Sequence, residues 1–136
     1  IKNIASHIAE REGNPKYYFV DNGIISLLTL NAESALLENM VAMELMRRYG
    51  QDNQVFFYND KVEVDFYIPE TGTAIQVSMY PHESDETWRR ETEALVRMNK
   101  HLPCSTHLLL TMNEEDTIII DGITIHMIPI WKWLLN

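Results

Sequence analysis

The chain has 136 residues, of which 46% are hydrophobic and 10% aromatic, which suffices for one globular domain with a sizeable core. It carries 11 Lys and Arg against 20 Asp and Glu, a formal net charge of −9 at pH 7. This acidic balance argues against a stand-alone protein that binds nucleic-acid backbone, because such proteins carry a basic excess. One Cys excludes an intramolecular disulfide and favours a reducing, cytoplasmic compartment. No apolar run approaches the roughly 20 residues that span a bilayer, so we expect no membrane partner.

Breaker and turn residues divide the chain into short elements. After a short amphipathic stretch in residues 1–15, the predicted elements are a strand, a helix, three strands, a helix, a strand, a hairpin and a short terminal helix. Their predicted bounds are 17–20, 33–49, 55–58, 62–68, 74–79, 85–100, 106–111, 117–120 with 124–128, and a helix from Pro129. From about residue 31 this is the order α-β-β-β-α-β with an extra hairpin and helix, an α/β fold in which helices flank a mixed sheet.

The five glycines exclude two common nucleotide sites. They are widely scattered, and none is followed by Lys. A P-loop needs clustered glycines whose N–H groups cradle phosphate and a Lys that reaches the outer phosphates, and the dinucleotide fingerprint also needs clustered glycines. The chain by itself is therefore not expected to bind ATP in either way.

Polar residues of two neighbouring strands are predicted to meet. Strand 62–68 alternates apolar and polar side chains, which predicts even-numbered residues on the core face and odd-numbered residues on a polar face. A four-residue loop at 69–72 pairs residue 68 with 73, and therefore Asp65 with Gln76. Ser78 then lies one step along the same polar face.

Glu38 occupies an unusual position in the helix predicted over 33–49. At about 100° per residue it lies on the apolar side of a helix that is apolar almost all round. A carboxylate in this position needs a partner, a shifted pKa or a metal ion. A hydrogen bond to backbone, to Asn39 or to Tyr17 is the structural alternative to a metal site, and Asp65 could equally be an ordinary solvent-facing strand residue.

This arrangement resembles the site of the restriction-endonuclease-like, PD-(D/E)XK nuclease superfamily, whose core order is also α-β-β-β-α-β. There, a carboxylate from the first helix, an Asp on the second strand and two polar groups on the third form the site. The resemblance implies carboxylates that hold Mg²⁺, which positions water and offsets charge on the phosphodiester, and a Lys that orients or activates the nucleophile.

A closer resemblance covers essentially the whole chain, up to the ending IPIWKWL. The chain looks like the C-terminal nuclease-like domain of uncharacterised prokaryotic AAA-type ATPases. This implies that residues 1–30 are an extension or linker from an ATPase module that carries the P-loop, and that residues 31–136 are the nuclease-like domain. It also implies an ATPase partner in cis, with DNA and a second copy as further candidate partners. The matching segments are 16–23 (KYYFVDNG), 36–45 (LLENMVAMEL), 63–68 (EVDFYI) and 75–78 (IQVS).

The third strand departs from the nuclease pattern. It carries Gln76-Val77-Ser78 where the pattern has Glu-x-Lys. Gln76 can offer a carbonyl to a metal but no negative charge, and Ser78 cannot supply the cation that Lys would bring to the phosphate. We therefore expect a degraded site with Glu38, Asp65, Gln76 and Ser78 at the motif positions, and with Glu38, Asp65 and Gln76 as the residues that would hold Mg²⁺.

Two functions follow from this pattern. The first is a non-catalytic module that serves an ATPase in cis through protein contacts, with DNA binding as an option. The alternative is an active Mg²⁺-dependent DNA endonuclease that borrows its missing cation from Lys61, Arg89 or Arg90.

Two further patterns have structural interpretations that we favour. His101, Cys104 and His107 suggest zinc, but they cross from a helix end into a strand and lack a second Cys pair, so we expect a helix end, a packed thiol and an edge-strand histidine. Helix 85–100 is the most basic region, and its pairs Glu86–Arg90 and Glu93–Arg97 at i,i+4 predict a solvated, salt-bridged face rather than a DNA-contacting patch.

Overall fold

The described residues form a seven-stranded mixed sheet with helices on both faces. The computed structural model describes residues 1–8, 13–20, 32–50 and 54–136. None of the helices in these ranges is long and apolar enough to cross a membrane. The elements in chain order are β1 (Lys2–Asn3), α1 (Ile4–Ile8), α2 (Ala32–Tyr49), β2 (Phe56–Asp60), β3 (Val62–Ile68), β4 (Thr73–Val77), α3 (Asp85–His101), β5 (Thr106–Thr111), β6 (Asp116–Ile120), β7 (Ile123–Pro129) and α4 (Ile130–Leu134).

The predicted order of elements is confirmed from residue 32 onward, and β3 and β5 have the predicted bounds. The predicted strand at 17–20 is wrong, because this segment is not a strand. The N–H and C=O groups of Phe19 are both bonded by the Asn39 side chain, so a side chain takes the place of a neighbouring strand.

The strands follow the order β1-β2-β3-β4-β5-β7-β6 across the sheet. The β2-β3-β4 meander is antiparallel, β5 is parallel to both β4 and β7, and α3 makes the crossover between β4 and β5. β1 adds to the β2 edge in parallel, and Ile4 is buried in the core. The sequence left open whether the first 30 residues pack on the domain, and residues 1–8 do so.

Two hydrophobic cores lie on opposite faces of the sheet, and neighbouring strand residues divide between them. The α3-side core contains Ile4, Phe56, Tyr58, Val64, Tyr67, Ala74, Ala94, Leu95, Met98, Leu109, Ile125 and Met127. The α2-side core contains Leu37, Val41, Ala42, Leu45, Val55, Phe66, Ile68, Ile75, Leu110, Ile130 and Trp133. The sheet therefore has apolar side chains on both faces along β3 and β4.

A β-bulge interrupts β3 where it passes β2. Between the pairs Phe56–Tyr67 and Tyr58–Val64, one residue of β2 opposes two residues of β3, Asp65 and Phe66. Beyond the bulge the alternation changes phase: Val64 belongs to the α3-side core and Phe66 to the α2-side core. The prediction that even-numbered residues of this strand share one face is therefore wrong.

Ser84 caps helix α3, as the sequence predicts. Its Oγ accepts a hydrogen bond from the Thr87 N–H at 3.0 Å. We expect Ser84→Ala to lower the free energy of unfolding by about 1 kcal/mol, because the substitution leaves an N-terminal N–H of the helix without an acceptor. Urea unfolding monitored by circular dichroism measures this change. Ser84→Thr, which keeps the hydroxyl, should stay close to the wild type, and an equal loss in both variants would contradict the capping role.

Candidate functional site

The backbone pairing between β3 and β4 ends where the bulge begins. Beyond that point, hydrogen bonds from side chains connect the two strands. The backbone pairs run from Ile68–Thr73 to Phe66–Ile75. Beyond them, the Asp65 N–H donates to Gln76 Oε1 at 2.9 Å, and the Val77 N–H donates to Asp65 Oδ2 at 2.8 Å. Asp65 and Gln76 are thus neighbours, as the loop register predicts, and each side chain binds backbone of the opposite strand.

Gln76 is held at both ends of its amide. Its Nε2 donates to the Glu63 carbonyl at 3.0 Å and lies 3.4 Å from the Glu91 carbonyl of α3, while its Oε1 accepts from Asp65. The side chain is 2% exposed. Gln76 therefore satisfies backbone groups that the bulge leaves without ladder partners.

Glu38 of α2 meets Asp65 from the other face of the sheet. Burial, the charge of Glu38 and that of Glu91 raise the pKa of Asp65 well above its usual range, and the Val77 N–H opposes this only in part. The two side chains also hydrogen-bond to each other. These effects favour the protonated form of Asp65 over the ionised form.

Residues 16–19, which we call the strap, cross this carboxyl pair. The Tyr18 hydroxyl donates to Glu38 Oε2 at 3.1 Å, and its ring lies 5.7 Å from the Phe66 ring between centroids. Burial, followed by the charges of Glu38 and Asp65, raises the pKa of the Tyr18 phenol, so it remains a donor. As the structural alternative to a metal site, the sequence offered backbone, Asn39 or Tyr17 as the hydrogen-bond partner of Glu38, and Tyr18 is the partner that the structure shows.

Asn39 anchors the strap to α2. Its Oδ1 accepts from the Phe19 N–H at 2.8 Å, its Nδ2 donates to the Phe19 carbonyl at 2.6 Å, and the residue is 1% exposed. These bonds hold Tyr18 above Glu38. Asn39 has a structural role that helical spacing alone could not assign, because its partner lies 20 residues earlier in the chain.

Lys16 brings a positive charge to the same place. Its Nζ forms an ion pair with Glu63 and lies 4.8 Å from the centroid of the Phe57 ring. Burial lowers the pKa of Lys16, but the hydrogen bond to Glu63 and the charges of Glu38, Glu63 and Asp65 outweigh it and raise the pKa. Sequence reasoning missed Lys16, although it belongs to the KYYFVDNG segment.

The cations that the sequence proposed lie in a neighbouring cleft. This cleft of about 530 Å³ lies between β3 and α3, and Lys61, Arg89, Arg90, Asp65 and Gln76 are among its lining residues. All three cations are exposed. Within the described ranges neither predicted i,i+4 pair of α3 forms, and Arg90 instead contacts its neighbour Glu91 at 3.4 Å.

Ser78 follows the end of β4. Its N–H donates to the Leu110 carbonyl at 2.9 Å, which extends the parallel pairing toward β5. The structure therefore joins Glu38, Asp65 and Gln76 through a chain of contacts, while the backbone contact described for Ser78 is with β5.

The residues His101, Cys104 and His107, which suggested zinc, do not form a metal site in the structure. Asn99 Oδ1 accepts from the Cys104 N–H at 3.0 Å and lies 3.1 Å from His107 Nε2, while His101 is exposed. No group of three His, Cys, Asp or Glu residues within the described ranges could hold a metal ion. His107 is buried on β5 inside the sheet, so the expectation of an edge-strand histidine is wrong.

The chain is similar to proteins of unknown function. A family model described as a domain of unknown function (DUF4143) matches residues 33–133. An uncharacterized protein of Methanocaldococcus jannaschii, MJ1544, is 33% identical over 131 residues, which cover 89% of this chain and 29% of that protein. The chain thus spans less than a third of this relative's length. No solved structure matches the chain.

Proposed function

This chain belongs to the DUF4143 family, a domain of unknown function, and from that premise we propose that it is a nuclease-like module without nuclease activity. Its role is to make protein contacts, in cis with an ATPase module of a longer protein. One observation carries the proposal: the motif positions Asp65 and Gln76 are engaged in hydrogen bonds to each other's strand. These bonds give both residues a structural task.

The donor set does not fit Mg²⁺. That ion prefers near-octahedral coordination by oxygen, with carboxylates in the charged form. Asp65 instead accepts the Val77 N–H, its raised pKa disfavours the charged form, and the Gln76 oxygen accepts a backbone N–H. Binding a metal would require Asp65 to ionise beside Glu38, and the ion would compete with a backbone N–H for the Gln76 oxygen. No reaction step through a metal therefore follows from this geometry.

The order of elements supports the nuclease-like part of the proposal. From α2 onward the chain runs helix, three strands, helix, strand, which is the order of the superfamily core named above. The acidic residue on the first helix and the Asp on the second strand lie in contact. The third strand supplies an amide where an active enzyme would have a carboxylate.

The ATPase part of the proposal rests on sequence. The four segments that resemble the ATPase-linked domain lie in order along the chain, and the chain lacks a P-loop of its own. The longer archaeal relative has length for a further module. A C-terminal domain that keeps a nuclease shape without its charges would serve such a module as a contact surface.

One observation favours the active endonuclease as a second candidate. Lys16 contacts Glu63 and lies close enough to Glu38 and Asp65 for their charges to raise its pKa. Its ammonium would stand in for the cation that Ser78 cannot supply. In that case the strap, rather than Lys61, Arg89 or Arg90, would provide the charge at the scissile phosphate.

Metal titration tests the proposal. We expect calorimetric titration of Mg²⁺ and of Mn²⁺ to give no specific binding isotherm in the wild type or in Asp65→Ala, and we expect supercoiled DNA to stay uncut with either ion. The matched control is Asp60→Ala, which removes an exposed carboxylate of β2. Micromolar-to-millimolar binding that Asp65→Ala abolishes and Asp60→Ala retains, together with metal-dependent cleavage, would establish the endonuclease instead.

A further inference from the structure

Strand β6 lies at the edge of the sheet opposite β1, and β7 is the strand that it pairs with in the described part of the chain. Its five residues, Asp116–Ile120, lie opposite Met127–Ile123 of β7 in an antiparallel hairpin. No strand of the described ranges covers its other side. An edge of this kind presents a row of backbone donors and acceptors to any extended chain that approaches it.

The turn of the hairpin shows which backbone groups point outward. Asp121 and Gly122 both have positive φ, 51° and 79°, which is the pattern of a two-residue type I′ turn. In such a hairpin the closing pair, Ile120–Ile123, exchanges both of its hydrogen bonds, and every second pair does the same. Ile118 therefore bonds to β7, while the N–H and C=O of Ile119 point to the open edge.

The side chains of β6 suit an added strand on both faces. Ile118 and Ile120 pack partly buried at the rim of the α3-side core, and Ile119 on the opposite face is 72% exposed. The strand contains no Lys, no Pro and no bulge, which are devices that commonly protect an edge. A partner strand with apolar or β-branched residues would cover Ile119 and extend the core rim.

Charges at both ends of β6 select the partner. Asp116 opens the strand and Asp121 follows it, whereas Glu115, which precedes the strand, forms an ion pair with Lys132 of α4. In antiparallel pairing of two copies about Ile118, Glu115 would lie opposite Asp121 of the second copy, and in-register parallel pairing would set each acid against itself. Like charges directly opposite each other are destabilising, whereas Lys or Arg at these positions would be attracted.

We propose that the β6 edge binds an extended peptide segment of a partner protein, with an apolar, β-branched centre and Lys or Arg at both ends. The segment adds a strand to the sheet, so that main-chain bonds supply affinity, and the flanking charges supply selectivity. The inference rests on the proposed function in one respect, that the module acts through protein contacts, and it names the surface. Its test uses no metal, so the two proposals fail separately.

Fluorescence anisotropy with designed peptides tests the edge. The probe is a fluorescein-labelled peptide of about nine residues, with alternating Thr and Val in the centre and two Lys at each end. We expect the 136-residue chain to bind it at least about tenfold more tightly than the same peptide with Glu ends or with a central Pro. Binding that does not depend on these changes, or no binding at all, overturns the proposal.

Two variants of one residue locate the binding. Ile119→Pro removes the outward donor, and because that N–H is not used in the pairing with β7, the melting temperature should change by only a few degrees. We expect Ile119→Pro to weaken the Lys peptide at least about tenfold and Ile119→Thr, which keeps the donor, by less than about threefold. Equal affinity in Ile119→Pro and the wild type would overturn the assignment to this edge.

A charge variant keeps the test decisive if the proline disturbs the fold. Asp116→Asn with Asp121→Asn leaves the backbone edge and the Glu115–Lys132 ion pair intact, and Asn tolerates the positive φ at position 121. The preference for Lys ends over Glu ends should then fall to near unity. Sedimentation of the wild type and of Ile119→Pro tests whether a second copy of the chain occupies the edge. A wild-type dimer that Ile119→Pro dissociates would overturn the proposal.

Discussion

Replacing Gln76 by Glu should lower the free energy of unfolding by about 3 kcal/mol at pH 7. This is a large effect for a substitution that only exchanges the amide NH₂ for a carboxylate oxygen. The new carboxylate can still accept the Asp65 N–H, but its second oxygen would face the carbonyls of Glu63 and Glu91, which the amide now binds as a donor. The buried acceptors lose their partner, and a negative charge enters beside the Glu38–Asp65 pair. Urea unfolding measures the change.

The pH dependence of this variant separates the hydrogen-bond loss from loss of packing. A protonated Glu can donate to the Glu63 carbonyl, so the penalty of Gln76→Glu should shrink as the pH falls toward 4. Gln76→Ala lacks the amide at every pH and should be destabilised throughout. The matched control is Gln54→Glu, which places the same change at an exposed position. A Gln76→Glu protein as stable as the wild type at pH 7 would show that the amide does not hold the bulge.

Replacing Asp65 by Asn should stabilise the protein at pH 8 by about 2 kcal/mol and change it little at pH 4. The Asn oxygen can accept the Val77 N–H, and its amide can donate to Glu38 as a protonated acid would. The substitution thus keeps the bonds and removes the group that resists ionisation. Chemical denaturation of both proteins from pH 4 to pH 8 measures the difference.

The direction in which this stability difference changes with pH follows from the linkage between proton binding and folding. Burial and Glu38 raise the pKa of Asp65 in the folded state, so the folded protein holds this proton more tightly than the unfolded chain does. The stability due to it is fully present below the unfolded pKa of about 4 and is lost as the pH rises toward the folded pKa, by about 1.4 kcal/mol for each tenfold difference in proton affinity. The advantage of Asp65→Asn should therefore grow with pH.

The control for Asp65→Asn is an Asp that lacks the charged and buried surroundings of Asp65. Lys16 from the strap, Glu38 from α2 and Glu91 from α3 all contribute to its surroundings. Asp60→Asn, at an exposed position on β2, should show no comparable growth of its effect with pH. If Asp65→Asn instead destabilises the protein at pH 8, Asp65 is ionised there and Lys16 is its counter-charge, which favours the endonuclease candidate.

Local patterns in the sequence predicted the order of the elements and part of the candidate site. Turn residues at 69–72 set the pairing of β3 with β4, and this register brings Asp65 to Gln76. Ser84 predicted the start of α3, and the apolar setting of Glu38 predicted a buried acid in need of a partner. Such features depend on residues close together in the chain, whose spacing controls capping, turns and faces.

Contacts between distant residues decided the rest of the site. Lys16 reaches Glu63 across 47 positions and Tyr18 reaches Glu38 across 20, and nothing in their spacing marks them as partners. The bulge at Asp65 depends on how β2 and β4 pair with β3 on either side, which no single-strand pattern encodes. The amino-acid sequence alone thus establishes which residues carry charge and which elements hold them. Folding establishes which of these groups have shifted pKa values, since those values depend on distances and burial between elements far apart in the chain.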